Sequence, residues 1–115
     1  MGLPRDLRLR HKREFDAVFQ QARAWNDNLL VLRALPNTVD HNRYGFVTSK
    51  RLGGAVVRNR VRRRLREITR EAEVTGGYDV VLSAKKAAAG APFADLRASA
   101  ARLFGRAGLT KAAQS

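Results

Sequence analysis

The chain has 115 residues, 44% of them hydrophobic, with 23 Lys and Arg against 10 Asp and Glu and a formal net charge of +13. That is one domain's length and too apolar for a disordered tail, no apolar run approaches the ~18 residues of a membrane span, and no signal-peptide core is visible. Without cysteine there is no disulfide or thiolate metal site, which fits a reducing cytoplasm, and the surplus positive charge asks for a polyanion, nucleic acid before an anionic membrane.

From Lys12 to Arg23, the residues Phe15, Val18, Phe19 and Ala22 recur at helical spacing and predict a first helix. The apolar run 28–35, NLLVLRAL, predicts a strand, with a short extra strand over 24–27 left open ahead of it. Pro36, Asn37, Asp40 and Asn42 mark a turn, 43–49 reads as a second strand, and together these make 28–49 a hairpin. Gly53 and Gly54 interrupt, and a long helix is predicted from Ala55 to Glu73, closed by Gly76 and Gly77. Residues 78–84, YDVVLSA, predict a Val-rich strand, and 85–91 a connector. Pro92 then opens a last helix with Phe93, Leu96, Ala100, Leu103 and Phe104 on one face. Residues 1–6 and 108–115 are expected as flexible tails of a single RNA-binding domain. The order α-β-β-α-β-α, with a third strand before the long helix if the extra one forms, predicts an α+β fold: a two-layer α/β sandwich of helices on a small mixed sheet.

The segment 49–70, SKRLGGAVVRNRVRRRLREITR, holds nine basic residues against one acid, Glu67. On a helix at about 100° per residue, Val57, Val61, Leu65, Ile68 and Ala72 gather within roughly 80° as an apolar stripe. Arg58, Asn59, Arg62, Arg63, Arg66 and Arg70 take the far side. Arg60 lies between, and Arg64 sits beside the stripe, where its stem would cover the core edge. An ordinary solvated face mixes both signs, because opposite charges at i,i+4 support a helix. Here Arg58–Arg62, Arg62–Arg66 and Arg66–Arg70 are like-charge pairs, together costing about 1 kcal/mol. Arg58 and Arg60 also stand near the positive end of the macrodipole. A polyanion relieves these costs, so the face reads as a nucleic-acid contact. Gly53 and Gly54, lacking Cβ atoms, let amide N–H groups at the helix start approach a phosphate. The stretch has no Gly-Lys-Ser/Thr of a Walker loop, and a basic helix that follows a strand is not a helix-turn-helix.

From Ser49 to Arg66 the chain closely resembles the signature of the protein component of bacterial ribonuclease P: Ser-Lys-Arg, the glycines, Ala-Val, then Arg58-Asn59-Arg60 and further basic positions. LRHKREFDAVFQQAR resembles that family's first helix and YDVVLSAKKAA its last strand, so the likeness spans roughly residues 7–106. The resemblance implies the protein subunit of an endoribonuclease that removes the 5′ leader of precursor tRNA, with the chemistry performed by an RNA subunit that holds Mg2+. It implies two partners, the ribonuclease P RNA and precursor tRNA, with no membrane and no stable protein partner. It also implies a left-handed β-α-β crossover, against the usual right-handed rule. Carried over by position, Lys50, Arg51, Arg58, Asn59, Arg60, Arg62, Arg63 and Arg66 are implied RNA contacts. Phe15, Phe19, Val31 and Arg33 are implied to line a cleft for the leader. Spacing alone reads Phe15 and Phe19 as core. Ala22 stands where many members have Gly, and Arg33 where some carry an aromatic.

Nothing in the sequence assembles an active site of the protein's own. The two histidines, His11 and His41, lie in basic or loop settings. Glu67 and Glu71 are helical neighbours on a helix crowded with arginines, where pairing with Arg is the expectation rather than holding metal. A ribosomal protein would share the size and charge. A membrane-surface protein would want bulkier apolar residues on its basic helix. The Ser49–Arg66 signature speaks against both.

Overall fold

The structure, a computed structural model, describes residues 7–110. The expected tail residues 1–6 and 111–115 lie outside that range. In chain order it contains α1 (Lys12–Gln21), β1 (Arg23–Asn26), β2 (Leu30–Pro36), β3 (Arg43–Val47), α2 (Ala55–Glu71), β4 (Tyr78–Ala84) and α3 (Phe93–Arg106). Short 3-10 turns at Lys50–Leu52 and Lys86–Ala89 precede α2 and α3. This is the α+β sandwich expected, and the extra strand left open at 24–27 is present as β1.

The strand pairing corrects the expected hairpin over 28–49. The sheet runs β1-β2-β4-β3, so β4 lies between the two strands thought to be partners. β2 turns back on β1 instead, antiparallel, with Trp25 opposite Leu32 and Asn26 opposite Val31. The turn is held by Asp27, whose Oδ1 accepts the backbone N–H of Leu29 at 2.9 Å and of Leu30 at 3.0 Å. β4 pairs antiparallel with β2 and parallel with β3, and α2 makes the crossover between the parallel pair. The physical reason is burial. Asp79, Val80, Val81 and Leu82 are consecutive and all buried, so β4 needs cover on both faces and takes the centre.

Alternate residues of the sheet face opposite ways. Leu30, Leu32, Val80, Leu82 and Tyr44 join the main core under α2 and α3. Val81 points the other way, into a smaller cluster with Val18 of α1, Leu9 and the partly buried Phe15, Leu35 and Val47. Helix α1 therefore lies across the second face. Its start is fixed by Glu14, whose Oε1 accepts the backbone N–H groups of Arg10 and His11. The other Glu14 oxygen, Oε2, accepts from Arg43 Nη1 at 2.8 Å.

On α3 the expected face is buried at Leu96, Ala100, Leu103 and Phe104, joined by Ser99. The Ser99 hydroxyl donates to Asp27 Oδ2 at 2.6 Å, and Arg102 Nη2 donates to the same oxygen at 2.9 Å. Burial alone would push the Asp27 carboxyl up, but these bonds and the two turn N–H groups outweigh it and hold its pKa at about 2. The expectation of a free end from residue 108 needs correction too. Leu109 is buried, its N–H donates to Phe104 O and its carbonyl accepts from Thr75 N–H.

Candidate nucleic-acid interface

Helix α2 is built as its sequence pattern requires. Val61, Leu65, Ile68 and Thr69 are buried against the sheet and α3. Three buried aliphatic side chains at ~1.5–3 kcal/mol each outweigh the roughly 1 kcal/mol of like-charge repulsion, so the helix can fold while carrying its arginines. The helix ends at Glu71, and Ala72 is its C-cap rather than part of the stripe.

The approach to α2 is a tight turn. Ser49 Oγ accepts the Arg51 N–H at 3.3 Å, and buried Leu52 anchors the 3-10 turn. Gly53 has φ 140 and ψ −162, a conformation open to glycine and strained for any other residue. Gly54 is the N-cap; it brings no side chain to the helix start, and α2 has no acid in its first turn. The first N–H groups of the helix thus stand beside the exposed Lys50 and Arg51 with a positive dipole end and no capping carboxylate.

The arginines divide by partner. Arg58, Arg62 and Arg66 form one row at i,i+4 spacing, half-exposed, with Asn59 and Arg63 exposed beside them. Arg62 Nη2 donates to Asn59 Oδ1 at 2.9 Å, tying two of the signature residues together. Arg70 pairs with Glu67, so the acid of the segment is engaged as expected. Arg64 Nη1 donates to Ala91 O at 3.0 Å, the core-edge role its position indicated. Arg60 does the same, with Nη2 on Ala89 O at 3.2 Å. Among the eight signature residues it is the one turned toward the connector before α3. The signal for this was its place on the flank of the stripe.

The four implied cleft residues lie on the opposite face of the sheet. Val31 and Arg33, two apart on β2, face α1. Arg33 places its guanidinium 4.9 Å from the centroid of the Phe19 ring, a cation–π pair. Phe19 is 44% exposed, which is not a core position. Phe15 is different. Its ring lies on Gly45, where an added Cβ would come within 2.4 Å of Phe15 Cε1. Phe15 therefore packs onto β3, while Phe19 stays exposed beside Arg33. The isolated glycine within β3 was the available signal for that close approach.

Among the described residues no group of three or more His, Asp or Glu stands close enough to hold a metal ion. The carboxylates Asp79 and Glu14 are both engaged by Arg43, at 2.8 Å each. No helix is long and apolar enough to cross a membrane, among the residues described.

Comparison with known proteins points to one family. The family model for Ribonuclease P matches residues 3–108. The ribonuclease P protein component of Roseiflexus castenholzii is 41% identical, covering 98% of this chain and 95% of that protein. That of Acidothermus cellulolyticus is 40% identical, covering 97% of each. Among solved structures, the RNase P protein from Thermotoga maritima superposes with a TM-score of 0.80 at 28% identity, over 86% of this chain and 96% of that one. The Staphylococcus aureus protein gives 0.82 at 22% identity, over 91% and 98%, a likeness of fold.

Proposed function

The chain belongs to the ribonuclease P protein family, and from that premise we propose that it binds the catalytic RNA of ribonuclease P along α2 and the 5′ leader of precursor tRNA across the α1 face. The observation that carries the reading is the row Arg58, Arg62, Arg66 on the outer side of α2, next to a helix start without an acidic cap. Such a row favours phosphates through counterion release and bidentate hydrogen bonds, and needs no particular base sequence. Lys50, Arg51, Asn59 and Arg63 flank it and extend the same contact.

The second half of the proposal concerns the substrate. A leader of varied sequence is best held by groups that accept any base. Phe19 and Arg33, an exposed ring with a guanidinium on it, offer stacking to whichever nucleotide displaces or joins them. Val31 supplies the apolar wall on β2. With the two surfaces on opposite sides of the sheet, one small domain can hold the catalyst and the substrate's extension at once.

In this reading the chain supplies no reacting group. Magnesium is assigned to the RNA; on the protein, Glu14 and Asp79 are engaged by Arg43 and Glu67 by Arg70. The protein's cations would lower the repulsion among crowded phosphates and so reduce the magnesium the RNA requires. The work belongs in the cytoplasm, where precursor tRNA is made. The test is reconstitution with a bacterial ribonuclease P RNA. Leader removal at low magnesium should appear only when both components are present. Leader cleavage by the protein free of RNA, or no effect of the protein on the magnesium requirement, would refute the proposal.

A further inference from the structure

Both histidines of the chain, His11 and His41, line one hollow together with Arg8, Arg10, Arg13 and Arg43. The hollow is made where the chain ahead of α1 runs along the free edge of β3. Leu9 N–H donates to Tyr44 O at 2.9 Å and Arg8 forms a parallel bridge with Tyr44, so this segment adds a rung to the sheet.

The charges around it do not balance. Arg43 is more than neutralised, because Asp79 and Glu14 both accept from its guanidinium and leave that trio one negative charge. Glu14 is held ionised: burial pushes its pKa up, but the Arg10 and His11 N–H groups and the Arg43 charge bring it below the ordinary value. Lys12 is spent on Asp16 at 2.7 Å, and Asp40 stands 3.0 Å from His41 Nδ1. That leaves Arg8, Arg10 and Arg13, all exposed and without an ion pair among the described residues. They surround the start of α1, where the helix dipole is also positive.

This surface is continuous with α2. The neighbouring groove shares His41 with the hollow and is bounded on its far side by Thr69 and Arg70 of the last turn of α2. The groove itself is mostly uncharged, with Arg70 paired to Glu67 and His41 beside Asp40, so it links two basic clusters, Arg58, Arg62 and Arg66 on α2 and Arg8, Arg10 and Arg13 ahead of and on α1.

We propose that the hollow at the start of α1 is a second phosphate-binding surface for the RNA that binds α2, so that this RNA follows the protein around the β3 edge. The inference rests on the function proposed above for the identity of the RNA.

The test is the triple variant Arg8→Ala, Arg10→Ala, Arg13→Ala, titrated with a bacterial ribonuclease P RNA at several salt concentrations. Affinity should fall about tenfold or more, and the slope of log affinity against log salt should become shallower by about 2. The three side chains make no ion pair among the described residues, so thermal unfolding should be unchanged. Were the triple variant to melt early, Arg13→Ala alone should reduce the slope by about 0.7–0.9. Wild-type affinity and slope in the arginine variants would overturn the proposal, as would a loss confined to precursor tRNA carrying a leader. If the wild-type chain itself fails to bind the RNA, the functional reading falls instead.

Discussion

Replacing Asp27 with Asn removes one charge and leaves the shape of the β1–β2 turn intact. The amide oxygen can still accept the Leu29 and Leu30 N–H groups, which Asp27 Oδ1 accepts at 2.9 and 3.0 Å. What is lost is the carboxylate that holds Ser99 and Arg102 of α3. The fall of the Asp27 pKa from 3.8 to about 2 bounds the effect at about 2.5 kcal/mol. Because the turn bonds survive, a loss of about 1–2 kcal/mol is expected at pH 7, or roughly 5–10 °C in Tm for a domain of this size. The pH dependence has a definite sign. The folded pKa lies below the unfolded one, so the contribution is complete above about pH 4 and disappears as pH falls through about 2. Urea unfolding of both proteins at pH 7, 5, 4, 3 and 2 measures this. The two stability curves should converge toward the acid end. A constant difference across the range, or none at pH 7, would refute the assignment of Asp27 as an ionised anchor between the hairpin and α3.

Arg58→Ala and Arg64→Ala remove equal charge from α2 and should separate cleanly: Arg58→Ala weakens RNA binding about threefold to tenfold with unfolding unchanged, whereas Arg64→Ala, which frees the Ala91 carbonyl, costs about 1 kcal/mol of stability and less affinity. Equal losses of affinity, measured by filter binding on proteins checked for folding, would mean that only bulk charge counts. Phe19→Leu keeps the apolar surface but loses the ring under Arg33, and should weaken binding of precursor tRNA with a leader about fivefold or more while sparing mature tRNA. A lowered melting temperature with leader discrimination intact would instead make Phe19 a packing residue.

How far these features could be read in advance depended on whether their cause is local. The α2 stripe was legible because helical spacing places Val61, Leu65 and Ile68 together whatever surrounds them. Strand positions were legible for the same reason. Strand partners were not, since a plausible turn at 36–42 invites a hairpin and nothing local announces that β4 will enter between. The clue was the unbroken Val80-Val81-Leu82, too apolar for a strand with a wet side. Within the site, Arg64 could be placed from its angle, and Arg60 only partly, because the Ala89 carbonyl that captures it belongs to a distant connector. Phe15 and Phe19 share a helical face and still differ, because Gly45 lies under one and Arg33 over the other.

The central place of β4 has a consequence for how the domain is made. As the chain leaves the ribosome, β1 and β2 can close on each other at once, but β3, beyond its contact with Arg8 and Leu9, must wait until residues 78–84 arrive to lie between it and β2. The arginine helix is the connection that spans this delay. It cannot settle on a finished sheet before β4 enters, so the insertion of one Val-rich strand closes the sheet and presents the basic face in a single late step. A nascent chain stopped short of β4 should therefore carry the charge of the RNA-binding surface without its geometry.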